Sequence, residues 1–157
     1  MNNIIEQLSA NVPNKEQILK LQKEVSKLPQ AENMITDHFF SDGMYSRRVF
    51  RKAGTLIIGK VHLKDHFFIC TKGEIIAWTE NGMKKLSAGD IIECKRGTKR
   101  VTLATIDSIG TTVHRTDKTD LDEIEAELIE PDETALFDSS NKLKSIVIEC
   151  QKMALEG

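Results

Sequence analysis

All four histidines of this 157-residue chain, His38, His62, His66 and His114, fall between residues 34 and 116, and none lies in the flanking segments. Imidazole titrates near neutrality and ligates divalent transition metals, so such a cluster can move protons or hold an ion. One pair is placed more definitely. In Thr55–His62 the two-residue alternation of a strand puts Leu56, Ile58, Lys60 and His62 on one face. A lysine and a histidine then share the side that aliphatic residues mark as interior. Burying such groups costs free energy unless each is partnered, so the pair marks a cavity.

The elements that must position these residues follow from pattern. A chain of this length can bury about two-thirds of its unfolded surface around one core. One domain with tails is the economical reading, with a helical arm over residues 1–33, a β unit over 34–116 and helices over 117–157. Asn14 followed by Gln17 reads as a helix start, with Ile18, Leu21, Val25 and Leu28 at helical spacing until Pro29. From Met34 the pattern changes to short segments rich in Val, Ile, Thr and Phe, broken by glycines and charges. The expected strands are Met34–Phe40, Met44–Phe50, Thr55–His62, His66–Thr71, Glu74–Thr79, Asp90–Cys94, Gly97–Leu103 and Gly110–His114. Asn81-Gly82 favours a tight hairpin turn, so the strands around it should pair antiparallel. Thr119 reads as the cap of a helix bearing Leu121, Ile124 and Leu128 and ended by Pro131. Residues 131–139 read as a linker. Ser140 could then cap a last helix with Leu143, Ile146, Val147, Cys150 and Met153 on one stripe.

Composition bounds the function. Hydrophobic content of 39% and charged content of 29% are those of an ordinary globular protein. No apolar run approaches the roughly 20 residues of a membrane-spanning helix, so no membrane partner is expected. Met1–Ala10 lacks the cationic and apolar stretches of a secretory signal, and Cys70, Cys94 and Cys150 are an odd set without paired spacing. Both point to the cytoplasm, with Cys70 and Cys94 as core thiols. The net charge of -2 hides an asymmetry. Residues 43–103 carry 13 Lys/Arg against 5 Asp/Glu, a surplus of +8, whereas residues 117–133 hold nine acids and one lysine. Either the basic unit holds an anion or a nucleic acid, or the acidic tail neutralises its own barrel. Nucleic acid is disfavoured, because the basic residues are scattered over both strand faces without an aromatic platform.

Gly59-Lys60-Val61-His62-Leu63-Lys64-Asp65-His66, with Gly73 beyond, resembles the first motif of the cupins, and Gly89 to Arg100 resembles the second. The resemblance implies a cupin-type antiparallel β-barrel. Where a metal-binding cupin has three histidines and a glutamate, this chain has Lys60, His62, His66 and Arg100. The order of segments from His38 to Arg47, Gly59 to His66, Gly97 to Arg100, Thr111 to His114 and Thr119 to Glu125 also resembles small cupin-like proteins of tailed bacteriophages. A phage-encoded chain would work in the host cytoplasm. That group implies no settled activity, but it joins His38, Tyr45, Arg47, His62, His66, Arg100 and His114 as one constellation.

Three readings of the site stay open. His62 and His66, helped by His114 or His38, could hold one divalent transition metal such as Zn, Fe, Ni or Mn. Lys60, Arg100, Arg47 and Tyr45 could instead bind a small anion of phosphate, sugar or nucleotide type. Or the cluster is structural, each histidine bonded to backbone or solvent. No acid occupies a motif position, which disfavours a two-histidine-one-carboxylate oxygenase and leaves isomerase, epimerase or lyase chemistry as the enzyme options. Tyr45 is either a pocket hydroxyl or a half-buried strand residue, and Trp78 reads as core. Homo-oligomerisation is expected through the barrel or the terminal helices.

Overall fold

The computed structural model describes residues 14–31, 34–79, 82–132 and 135–142. Helix α1 (Lys15–Val25) starts on the expected signal. The Asn14 side chain accepts from the Gln17 N–H and the Gln17 side chain from the Asn14 N–H, both at 2.9 Å, which satisfies two donors that a helix start leaves open.

Nine antiparallel strands follow: β1 (Ile35–Ser41), β2 (Met44–Arg51), β3 (Leu56–Ile58), β4 (His66–Lys72), β5 (Glu74–Thr79), β6 (Gly82–Ser87), β7 (Ile91–Cys94), β8 (Val101–Ala104) and β9 (Ser108–Arg115). They form two facing sheets, one ordered β1-β2-β9-β4-β7 and the other β3-β8-β5-β6. Between them lies a core of Phe68, Cys70, Ile75, Ala77, Leu86, Ile92 and Cys94. Both thiols are buried and free. The outer face of the four-stranded sheet is covered by α1, whose Ile18 packs on Trp78, Val101 and Leu103. Trp78 is therefore core, as its sequence context implied. On the outer face of the five-stranded sheet, Ile35, Phe39, Met44, Phe67 and Ile91 stay exposed.

Three expectations are corrected. The strand expected over Thr55–His62 stops at Ile58. Leu56 and Ile58 oppose Leu103 and Val101 and pack beneath α1; they line one cavity with Lys60 and His62, but those two reach it from the loop and not along the same strand. The Gly59 N–H bonds to the Arg100 carbonyl at 2.8 Å, and the chain leaves the sheet there. Strand β6 is absent from the expected ranges, although the hairpin signal requires a strand after Gly82, because Gly-Met-Lys-Lys-Leu-Ser lacks an apolar alternation; its lysines suit a sheet edge. It pairs with β5 as the Asn81-Gly82 signal implied, although Glu80 and Asn81 lie outside the described residues. Helix α2 (Leu121–Leu128) is capped by Asp120, not Thr119, since the Asp120 carboxylate accepts from the Asp122 and Glu123 N–H groups at 3.1 Å. The helix expected after Ser140, with Leu143 to Met153, lies outside the described residues, as does Met1–Ala10.

Helix α2 closes one side of the barrel. Ile124 and Leu128 pack on Tyr45. Just beyond the helix, the Leu63 N–H bonds to the Leu128 carbonyl and the Glu130 N–H to the Val61 carbonyl, at 2.8 and 2.9 Å. Among the described residues no helix is long and apolar enough to cross a membrane.

Candidate functional site

The site is built on the inner faces of β2, β9, β4 and β7. Alternation along β2 turns Tyr45, Arg47, Val49 and Arg51 inward, and register sets them opposite His114, Thr112, Gly110 and Ser108 of β9. Phe68 of β4 opposes Thr112, which puts His66 at the next inward position beside His114, and His66 in turn opposes Cys94 of β7. Tyr45, His114, His66 and Cys94 therefore run as one row across the sheet. His62 joins from the loop after β3. Its carbonyl accepts from the Gly97 N–H at 2.8 Å, its backbone bridges to Ile129, and its Nδ1 lies 3.1 Å from the Lys60 carbonyl.

His62, His66 and His114 converge. Their ring centroids are 4.1, 5.2 and 4.7 Å apart, and one ligand nitrogen from each lies within 4.8 Å of the others. Each is about 5–6% exposed. Burial, with the neighbouring imidazoles and the charge of Arg100, holds His62 well below its ordinary value. Burial and Arg100 bring His66 down to about 4, and burial, His66 and Arg47 bring His114 down to about 2. All three are uncharged at neutral pH, the form in which imidazole ligates a metal.

Three arginines stand beside this triad. Arg51 is 4% exposed and donates from Nη1 to Thr102 Oγ1 at 2.9 Å. Arg100 lies over the Phe68 ring at 4.7 Å, with Nη1 touching Cys94 Sγ and 3.3 Å from His66 Nε2. Arg47 is partly buried one inward step from Tyr45. The Nε atoms of Arg47, Arg51 and Arg100 are all enclosed without a hydrogen-bond partner. None of the three pairs with a carboxylate of the described residues. Burial and the other two guanidinium charges lower Arg51 to about 9.

These side chains border an interior cavity of about 140 Å³ whose lining includes Arg47, Arg51, Arg100, His62 and His114, with Phe68 and Thr102. His114 also borders a more open cleft together with His66. Tyr45 and Lys60 line the cavity as well, but the Lys60 ammonium is ion-paired with Glu125 of α2. His38 stands outside the triad. Its Nδ1 shares a 2.7 Å hydrogen bond with Tyr45 Oη, and Tyr45 stacks on His114 at 5.7 Å. Tyr45 is 4% exposed, so its hydroxyl is satisfied inside the protein.

Sequence reasoning missed Arg51, Thr102 and Glu125. Arg51 was legible as the next member of the Tyr45, Arg47, Val49 alternation, one position beyond the expected end of that strand. Nothing local marked Glu125 as facing a cavity.

The triad fits a metal in donor type and spacing: three neutral imidazoles, close enough to share one ion after a small inward rotation, since two nitrogens on one ion stand at most about 4.2 Å apart. The remaining side does not fit in the same way, because a guanidinium holds it.

No protein-family model matches the sequence, and no curated protein matches it. The fold does have relatives among solved structures. KdgF from Halomonas sp. superposes with a TM-score of 0.50 at 14% identity, covering 59% of this chain and 87% of that one. An RmlC-like cupin from Shewanella frigidimarina also reaches 0.50, at 13% identity, covering 57% and 82%. At these identities the likeness shows the fold alone: this chain is a cupin-like antiparallel β-barrel with a helix on each side.

Proposed function

We propose that this barrel binds a small anionic molecule, whose negative charge is received by Arg47, Arg51 and Arg100. One observation carries the reading: three interior arginines have enclosed Nε donors without a hydrogen-bond partner, and none of the three forms an ion pair with a carboxylate of the described residues. An uncompensated buried charge is costly, and a cavity lined by three of them lowers that cost when an anion enters. A planar guanidinium offers paired donors to phosphate or carboxylate oxygens, which favours ligands of phosphate, sugar-phosphate or nucleotide type. Thr102, Thr112 and Tyr45 would supply neutral hydrogen bonds. Lys60 would add its charge only where Glu125 released it.

The neutral triad favours a second reading, a metal-dependent enzyme of isomerase, epimerase or lyase type. His62, His66 and His114 would hold a divalent transition metal, which supplies Lewis-acid chemistry next to the arginine-bound anion. Self-association, expected from the sequence, would use the exposed Ile35, Phe39, Met44, Phe67 and Ile91 face, and light scattering reads it.

Thermal unfolding of the metal-free protein against inorganic phosphate, sugar phosphates and nucleotides tests the first reading, and elemental analysis of the purified protein tests the second. The anion reading expects saturable stabilisation by at least one of these. It fails when none stabilises the wild type beyond the effect of ionic strength.

A further inference from the structure

The contact between Arg100 and His66 bears on what the triad can hold. Arginine stays protonated in proteins and has no acceptor, so Arg100 Nη1 donates, and His66 Nε2, 3.3 Å away, presents its lone pair. The other ring nitrogen, Nδ1, lies 3.5 Å from the Lys64 carbonyl, which fixes Nε2 as the inward atom. That inward lone pair is the one a metal shared with His62 and His114 would need. The guanidinium is held where it is by Phe68 beneath it and by Cys94 Sγ on the same Nη1.

We infer that the Arg100 guanidinium and a divalent metal ion are alternative occupants of the His62-His66-His114 triad, so that Arg100 decides which ligand class the resting site accepts. With Arg100 on His66, the triad has two free nitrogens and a fixed positive charge beside them, a poor site for a bare divalent ion. An anion in the cavity changes both terms. It draws the guanidinium toward its oxygens, freeing the His66 lone pair, and it offsets the repulsion between Arg100 and an incoming ion. Anion and metal then bind with positive coupling, which is reciprocal by linkage. The coupling rests on the anion reading; the exclusion of a bare metal by Arg100 does not.

The experiment is a titration of Co²⁺ into the metal-free full-length protein, read by heat and by the absorption of Co²⁺ bound to imidazole, with wild type and Arg100→Leu, with and without sulfate. Leucine supplies no donor atom, so any gain comes from removing the guanidinium. Arg100→Leu should bind Co²⁺ about tenfold tighter than wild type or more without sulfate, and sulfate should tighten Co²⁺ binding in wild type only. Equal Co²⁺ affinities in the two proteins without sulfate overturn the inference. If Arg100→Leu does not fold, the wild type alone decides: sulfate that stabilises the metal-free protein yet leaves its Co²⁺ affinity unchanged also overturns it. Sulfate that fails to stabilise the metal-free protein counts against the anion reading instead, and the comparison of the two proteins without sulfate still tests the exclusion.

Discussion

The ammonium of Lys60 is ion-paired with the carboxylate of Glu125, 65 residues further along the chain on helix α2. The same pattern continues outward. Lys64 meets Glu127 at 2.6 Å, Lys99 meets Asp132 at 3.5 Å, and Thr116 Oγ1 donates to Glu127 at 2.7 Å. The surplus of positive charge in the barrel and the surplus of negative charge after it are therefore partly complementary surfaces of one molecule. Glu125 and Asp132 are also the carboxylates that line the cavity. What the acidic segment leaves without an ion pair, among the described residues, is the inner arginine group, and this is where the ligand reading rests.

Replacing Glu125 by Gln should leave Lys60, whose side chain is 20% exposed, without its counter-charge. A loss of about 1 kcal/mol in urea unfolding is expected, above the usual value for an exposed pair because the site is partly shielded from water. The loss should shrink with added salt. An unchanged midpoint at low ionic strength would mean that apolar packing of Ile124 and Leu128 alone holds α2.

Arg51→Met separates binding from stability. The side chain is buried with one neutral partner, Thr102, so removing its charge should leave the ligand-free protein as stable or raise its stability by about 1 kcal/mol. The same substitution should abolish stabilisation by phosphate-type ligands. Chemical denaturation with and without phosphate reads both. A loss above about 2 kcal/mol without ligand would assign Arg51 a structural role.

The histidines set the response to acid. Their folded-state values are depressed, so below pH of about 6.5 the unfolded chain takes up protons that the folded chain refuses. Stability should therefore fall as pH drops from about 6.5 toward 4, where His66 begins to titrate in the folded state, and the fall should continue below that because His114 holds out to about 2. Urea unfolding between pH 7.5 and 4.5 measures the slope. His114→Asn should flatten it, and an equally steep slope in that variant would place the proton uptake elsewhere.

Gly110 forms part of the cavity wall where no side chain fits. A Cβ there would stand 2.8 Å from Arg51 Nη2 and 2.9 Å from Phe68 Cζ. The arginine end can move, but the Phe68 ring is fixed in the core. Gly110→Ala should cost about 1–3 kcal/mol through overpacking and should weaken anion binding by shifting Arg51. Unaltered binding would detach this wall from the ligand site.

Much of the fold was legible because it rests on local signals. Asn14 with Gln17 marked the first helix, and short segments rich in Val, Ile, Thr and Phe between glycines and charges marked most of the strands. Where those signals fade, the reading failed for identifiable reasons. Lys84 and Lys85 concealed an edge strand. Leu56 and Ile58 are apolar because they pack beneath a helix as well as lining the cavity, so their side of the strand did not by itself mark the barrel interior. His62 was placed in the interior correctly but on a mistaken argument, since it arrives by a loop. The site was legible as a set of residue types, with His62, His66, His114 and Arg100 named together. What sequence could not separate was His38 from His114, because strand register alone decides which histidine faces His66. Nor could it foresee that Glu125 would fold back onto Lys60, a pairing that depends on the docking of α2.

The most direct test of the central claim is calorimetric titration of inorganic phosphate into the metal-free protein, comparing wild type with Arg51→Met at constant ionic strength. The account predicts saturable one-site binding in wild type and none in the variant. Absence of binding in wild type, or equal binding in both proteins, would contradict it.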